Sequence, residues 1–184
     1  VGNVFTGLVQ ATLDANPNAA ADEDAIVATV SECDDSFLND ERGLHVAPRH
    51  VRDALTVASE DVRLGAVGAG TGMTCCQFKG GIGSASRRLK SDDGGYTVGA
   101  LVLSNFGWKE YLTIAGVPVG RELIAAEKAK ADLPPGSAGS IVTILATDAP
   151  LSSRQLGRVA RRAFMGLARL GSFSSNGSGD IAVA

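Results

Sequence analysis

The residue with the most suggestive chemistry is Ser140. It follows Leu133-Pro134-Pro135-Gly136-Ser137-Ala138-Gly139 and opens the run Ser140-Ile141-Val142-Thr143-Ile144-Leu145-Ala146-Thr147. The first stretch has the prolines, glycines and small residues of an exposed linker. The second has the β-branched residues of a strand. Gly139 has no side chain to obstruct attack on its carbonyl carbon. Attack there by the Ser140 hydroxyl would shift the acyl group from nitrogen to oxygen, and water would then release Gly139 as a C-terminus. The freed α-amine of Ser140 would stand beside its own hydroxyl. Its unperturbed pKa of about 7.7–8.0 is close enough to neutrality for it to serve as a base. Spacing alone leaves the ordinary reading, a linker joined to a strand, in place.

Other residues invite chemistry less strongly. Glu32, Asp34, Asp35 and Asp40 crowd one segment. Neighbouring carboxylates raise one another's pKa and can bind an amine or a cation, although a polar turn is the plainer explanation. His45 and His50 lie near Asp40 and Glu41; locally hydrogen-bonded histidines account for them, and no metal site is expected. Gly68-Ala69-Gly70-Thr71-Gly72 departs from the dinucleotide spacing, and the chain has no GxxxxGK[ST] phosphate loop, so a tight turn is expected and no cofactor. Arg154, Arg158, Arg161, Arg162 and Arg169 read as the solvated side of a helix.

The elements that must position Ser140 follow from periodicity. Helical spacing covers 4–14, ended by Asn16-Pro17-Asn18, and 48–59, opened by Pro48. Strands are expected over 26–31, 62–69, 96–104 and 110–115. The 121–131 segment reads as a helix or a mobile surface stretch. The best helix is 152–170, where Leu156, Ala160, Ala163, Leu167 and Leu170 make one apolar stripe. Ser152 or Ser153 can cap it, and Gly171 lies just past its end. A Ser/Gly/Asn turn over 172–179 leads to a strand near Asp180. Strands alternating with helices argue for an α/β fold.

The chain has 184 residues, 45% of them hydrophobic, enough for one domain with a sizeable core. The net charge of −3 favours neither nucleic acid nor an anionic membrane as partner. Cys33, Cys75 and Cys76 are odd in number and two are adjacent, which is no disulfide framework and suits a reducing compartment. The first residue is Val, and the closing Asp180-Ile181-Ala182-Val183-Ala184 reads as a strand barely begun. Missing material is therefore expected at both ends.

Several stretches taken together resemble the DmpA-type aminopeptidase family, which includes L-aminopeptidase/D-esterases and β-peptidyl aminopeptidases. They are Glu32-Cys33-Asp34-Asp35-Ser36-Phe37-Leu38-Asn39-Asp40, Gly68-Ala69-Gly70-Thr71-Gly72-Met73, Phe78-Lys79-Gly80-Gly81-Ile82-Gly83-Ser84-Ala85-Ser86-Arg87, Asn105-Phe106-Gly107, Gly116-Val117-Pro118-Val119-Gly120, Gly139-Ser140-Ile141-Val142 with Ala146-Thr147-Asp148-Ala149-Pro150-Leu151, and Asn176-Gly177-Ser178-Gly179-Asp180-Ile181. They occur in the family's order and cover about residues 26–184.

The resemblance implies an N-terminal-nucleophile hydrolase with an αββα layered sandwich, of the type shared with ornithine acetyltransferases. It implies a cut between Gly139 and Ser140. Residues 1–139 would then be the α-chain part of one catalytic domain, and 140–184 the start of its β-chain. Ser140 is the implied nucleophile and Asn105 the oxyanion donor. Ser178 and Asp180 are the implied pair that tunes the nucleophile, and Glu32 the acceptor of the substrate's free amine. The implied substrates are small peptides, amides or esters bearing that amine, and the implied assembly is a homo-oligomer of α/β heterodimers; the cysteine usage makes a cytoplasmic location the expectation. One departure stands out: Asp34 occupies a position where some members carry a tyrosine that helps hold the oxyanion, and an ionised aspartate cannot donate. Two rival readings are an acyltransferase like the ornithine acetyltransferases, against which the serine counts because those use threonine, and an inactive binding or structural member.

Overall fold

The computed structural model describes residues 1–21, 25–127 and 139–184. The chain divides into two compact units, Val1–Glu32 with Asp40–Val62, and Cys33–Asn39 with Arg63–Ala184.

The first unit is built on two helices, α1 (Gly2–Ala15) and α2 (Arg49–Thr56). Gly7 lets them approach: a Cβ there would lie 2.5 Å from the Pro48 carbonyl oxygen and 2.8 Å from a Val51 methyl. Asn3 Nδ2 donates to the Val46 carbonyl at 2.7 Å, and Arg52 pairs with Asp14 at 2.5 Å. The strand expected over 26–31 does not form. Among the described residues no partner strand takes the N–H and C=O groups of its β-branched residues, and Val27 is 87% exposed.

The second unit holds a hairpin, β1 (Thr74–Cys75) with β2 (Phe78–Lys79), and a four-stranded sheet of β3 (Gly81–Arg88), β4 (Thr97–Asn105), β5 (Ser140–Thr147) and β6 (Gly179–Val183) in that order. β3–β4 and β4–β5 are antiparallel, and β5–β6 is parallel. Helices α3 (Val119–Ala126) and α4 (Ser153–Arg169) complete the unit. A parallel neighbour needs a crossover, and α4 supplies it between β5 and β6.

α4 begins and ends as its residues direct. Gln155 accepts the Ser152 backbone N–H at 2.9 Å, the return bond of a capping box. At the other end Ser172 N–H reaches the Leu167 carbonyl and Gly171 N–H the Ala168 carbonyl, both at 3.1 Å, with Gly171 at φ +91°. That is a Schellman stop, which glycine adopts without steric cost. The five arginines of α4 are exposed, as expected of its solvated side.

One face of the sheet packs on α4. Ile141, Leu167, Phe106 and Cys76 are buried together, with Cys75, Val102, Leu112 and Phe164 against them. Strand alternation then fixes what the other face carries. Ser140, Ile144, Ile181 and Val183 share it by register, and the last three are 49%, 38% and 45% exposed. Among the described residues no helix is long and apolar enough to cross a membrane.

One strand was not expected, and two further strand expectations are corrected. β3 runs through Gly81–Arg88, where small and polar residues gave no strand pattern; as an edge strand it is held by its ladder with β4. Residues 62–69 yield only a bridge between Gly65 and Ile82, because Gly65 and Gly68 turn the chain at φ +83° and +51°. Residues 110–115 are broken by a tight helical turn over Lys109–Tyr111 and by Ala115 and Gly116 at φ +52° and +87°. The expected linker 133–139 lies outside the described residues except for Gly139.

Leu167 is the α4 residue buried in this core. Leu167→Ala should lower the unfolding free energy by about 2–5 kcal/mol, while Met165→Ala on the exposed side, 57% accessible, should stay within about 0.5 kcal/mol. Urea midpoints of the two variants check this contrast.

Candidate active site

Asn105 ends β4, Ser140 opens β5, and the two are direct partners in the antiparallel register. Such partners project from the same face with Cβ atoms about 4.5–5.5 Å apart. Both are buried, each 7% exposed. The residues that follow them, Phe106 and Ile141, are buried in the core on α4's side. The apolar anchors thus orient the polar pair: burying Phe106 and Ile141 turns Asn105 and Ser140 to the opposite face.

Gly139 is seated against this pair. A Cβ on it would collide with the Asn105 carbonyl oxygen and lie 2.5 Å from Phe106 Cα. Its carbonyl oxygen accepts the Gly179 N–H at 3.2 Å. Gly179 is the register partner of Ser140 on β6. A Cβ there would meet Ser140 Cβ at 3.6 Å, so glycine leaves the space beside the serine open.

The Asn105 amide is held at both ends. Its Oδ1 accepts the Thr74 N–H at 2.9 Å, and its Nδ2 donates to the Asp34 carbonyl at 2.7 Å. A primary amide has two N–H donors, and the second has no partner among the described residues. The donor is therefore fixed in orientation and one proton is left to give.

Ser178 and Asp180 are brought together: the Ser178 hydroxyl donates to Asp180 Oδ1 at 2.6 Å. Asp180 Oδ2 is buried with no hydrogen-bond partner among the described residues. Asp180 is in register with Ile141, so by strand alternation its side chain belongs to the α4 face of the sheet, opposite the Ser140 side chain, and among the described residues no hydrogen bond links the pair to Ser140. Glu32 is exposed and belongs to the first unit, outside the sheet unit that carries the other four residues.

Asp34 contributes differently from what its position suggested. Hydrogen bonds from the Ser36 hydroxyl and then the Ser36 backbone N–H hold its carboxyl below the ordinary carboxylate range, against a smaller opposing effect of burial. It is ionised at neutral pH and cannot donate. Its main-chain carbonyl is what orients Asn105. The Thr74 and Gly179 N–H groups and this carbonyl carry no side-chain signature, so sequence reading had no means to find them.

The Cys75–Cys76 pair lies beside the site framework. The Cys76 N–H donates to the Phe106 carbonyl at 2.7 Å. A hydrogen bond from Cys76 pulls the Cys75 thiol below its ordinary range, while Cys76 is pushed up by the same bond and by burial. His45 Nε2 lies 3.7 Å from Asp40 Oδ2, and His50 Nδ1 accepts the Ala47 N–H at 3.1 Å. A cavity of about 540 Å³ opens among Val102, Ile141, Thr143, Leu145, Ala163 and Leu167. It lies between the sheet and α4, on the face opposite the Ser140 side chain, and is a feature of the core.

The family model for Peptidase family S58 matches residues 1–184. The chain belongs to Peptidase family S58. Among relatives within and around this family, the β-peptidyl aminopeptidase BapA of Sphingosinicella microcystinivorans is 47% identical over 167 residues, covering 84% of this chain and 42% of its own length. A protein from Pyrococcus horikoshii OT3 superimposes with a TM-score of 0.88 at 54% identity, over 100% of this chain and 49% of that one. The L-aminopeptidase D-Ala-esterase/amidase of Ochrobactrum anthropi superimposes with a TM-score of 0.83 at 42% identity, over 98% of this chain and 49% of that one. That structure is described as a prototype of the serine aminopeptidases and a variant of the Ntn hydrolase fold. The S58 chain described here therefore shares that fold, and it spans about half the length of the relatives it matches.

Gly139→Ala should destabilise the second unit by about 1–3 kcal/mol, because the added methyl meets main chain that cannot swing aside. The urea midpoint of the full-length protein reads this out. An unchanged midpoint would contradict the packing of Gly139 against Asn105 and Phe106.

Proposed function

We propose that the protein is a self-processing serine aminopeptidase whose nucleophile is Ser140, released by cleavage of Gly139–Ser140. The observation that carries this reading is the buried pairing of Ser140 with an amide donor, Asn105, that is clamped by Thr74 and Asp34 with one N–H to spare.

The maturation step begins with attack of Ser140 Oγ on the Gly139 carbonyl carbon. The carbonyl oxygen gains charge while it accepts the Gly179 N–H. The Gly139–Ser140 C–N bond then breaks, the nitrogen takes a proton, and an ester joins Gly139 to Ser140 Oγ. Water hydrolyses the ester to a Gly139 carboxylate and a free Ser140 hydroxyl. The new α-amine is the base for catalysis. In this reading the Ser178–Asp180 pair on the neighbouring strand tunes that amine, and the support for it is that Asp180 Oδ2 is buried with no hydrogen-bond partner among the described residues. Ser178, bonded to Asp180, orients the carboxylate.

In turnover, the amine accepts the Ser140 proton as Oγ attacks the substrate carbonyl. The spare Asn105 N–H meets the charge that develops on the carbonyl oxygen, an interaction worth about 2.7–4 kcal/mol when made only in the transition state. The leaving amine takes a proton, and water completes hydrolysis of the acyl-enzyme. Glu32 receives the substrate's free amino group, which is how an aminopeptidase selects chain ends over internal bonds. The substrates are small peptides, amides or esters with a free amine, as the names of the relatives suggest. In this reading 1–139 and 140–184 are the two chains of one catalytic domain, the assembly is a homo-oligomer of such α/β pairs, and the protein is cytoplasmic.

In the full-length protein, Ser140→Ala should remove both cleavage and turnover of an amino-acid amide. Retained turnover would place the nucleophile elsewhere. Asn105→Ala should lower kcat by about 10²–10³ with a much smaller change in KM, measured by steady-state kinetics on the cleaved fraction. Asp34→Asn should change kcat by no more than about twofold, since Asp34 acts on Asn105 through its main chain and the exposed side-chain change is worth within about 0.5 kcal/mol.

A further inference from the structure

Lys79 sits at the end of β2, and its ammonium donates to three main-chain carbonyls: Gly70 at 2.8 Å, Met73 at 2.9 Å and Gly80 at 2.8 Å. An ammonium has three N–H donors and no acceptor, so this cradle uses all of them. No carboxylate pairs with Lys79 among the described residues. Lys79 is an exposed residue, yet its ammonium is turned back onto three main-chain carbonyls, although the proposed chemistry does not touch it.

Met73 makes the cradle informative. Its carbonyl oxygen also accepts the Gly80 N–H at 2.8 Å. The same peptide group carries the Thr74 N–H, which donates to Asn105 Oδ1 at 2.9 Å. Positive charge at the carbonyl end of a peptide polarises the group and strengthens its N–H as a donor. A stronger donor on Asn105 Oδ1 polarises the side-chain amide in turn, and the spare Nδ2 proton becomes a better donor. The line runs from Lys79 Nζ through the Met73–Thr74 peptide to Asn105 and ends where the oxyanion would sit. The Gly68–Gly72 turn brings the Gly70 carbonyl to the same ammonium.

We propose that Lys79 is a positioning residue for the reaction, which orients and polarises the Met73–Thr74 peptide so that Asn105 presents a fixed, strengthened oxyanion donor. This rests on the reading of Asn105 given above. Lys79 moves no proton and touches no substrate. Its effect is felt only as charge builds on the oxyanion, so it acts on kcat and not on substrate affinity.

The test is a double-mutant cycle in the full-length protein, with kcat normalised to the cleaved fraction. Lys79→Met keeps length and removes charge; it should lower kcat about tenfold, less than Asn105→Ala itself at about 10²–10³, with KM changed less than twofold. In the Asn105→Ala background the same substitution should have almost no further effect, because both act through one donor. Lys79→Arg, which keeps the charge, should recover most of the loss. Should Lys79→Met not fold, Lys79→Gln takes its place in the same cycle with a smaller expected loss. Effects of Lys79 and Asn105 that multiply, or a Lys79 effect confined to KM, would overturn the relay. Asn105→Ala with unchanged kcat would instead defeat the reading of Asn105 on which it rests.

Discussion

The site depends on the register that sets Asn105 opposite Ser140 across β4 and β5. A slip of one residue would send both side chains into the core and bring Phe106 and Ile141 to the other face. Burial of those two apolar neighbours, on either side of the pairing, is what makes the slip costly. Gly139 adds a steric lock, since only a residue without Cβ fits against the Asn105 carbonyl and Phe106. At the far end of the same ladder, Asp148 accepts the Thr97 N–H at 2.7 Å and Thr147 donates to the Thr97 carbonyl at 2.7 Å. The pairing is pinned at both ends, and the end that carries the proposed site is the buried one.

Around that register the protein has assembled main-chain groups more than side chains. The Asn105 amide is oriented by a Thr74 N–H and an Asp34 carbonyl. The Gly139 carbonyl is met by a Gly179 N–H. Backbone dipoles are rigid and need no reorganisation as charge develops, which suits electrostatic stabilisation of a transition state. The hairpin that delivers Thr74 is itself held under strain. Cys76 and Gln77, neither of them glycine, take φ +50° and +60° in its turn, a left-handed conformation that costs about 1–2 kcal/mol per residue. The bond from Cys76 N–H to the Phe106 carbonyl helps offset that cost and ties the hairpin to the end of β4.

What the sequence disclosed follows from the kind of force that shaped each part. α4 was legible because its stripe, its Ser152 cap and its Gly171 stop all act locally. β4 and β5 were legible because both are rich in β-branched and apolar residues. β3 was not, since Gly81, Gly83, Ser84 and Ser86 have no strand preference and are held by a partner far along the chain. The strand expected over 26–31 failed for the converse reason, propensity without a partner. Ser140 drew attention by its place at a linker's end, Glu32 as one of a crowd of carboxylates, and Asn105, Ser178 and Asp180 only through family resemblance. The geometry then gathered four of these five in the sheet unit. The contacts that orient Asn105 are main-chain groups, and these leave no mark in a sequence.

The central claim is that Ser140 becomes an N-terminal nucleophile, and intact-mass analysis of the purified full-length protein tests it most directly. The account predicts a chain beginning Ser140-Ile141-Val142, and on brief exposure to an amino-acid ester, a transient mass increase equal to one acyl group on that chain's first residue. A protein that remains uncut at Gly139–Ser140 under native conditions while turning over substrate, or an acyl group mapped to any other residue, would contradict it.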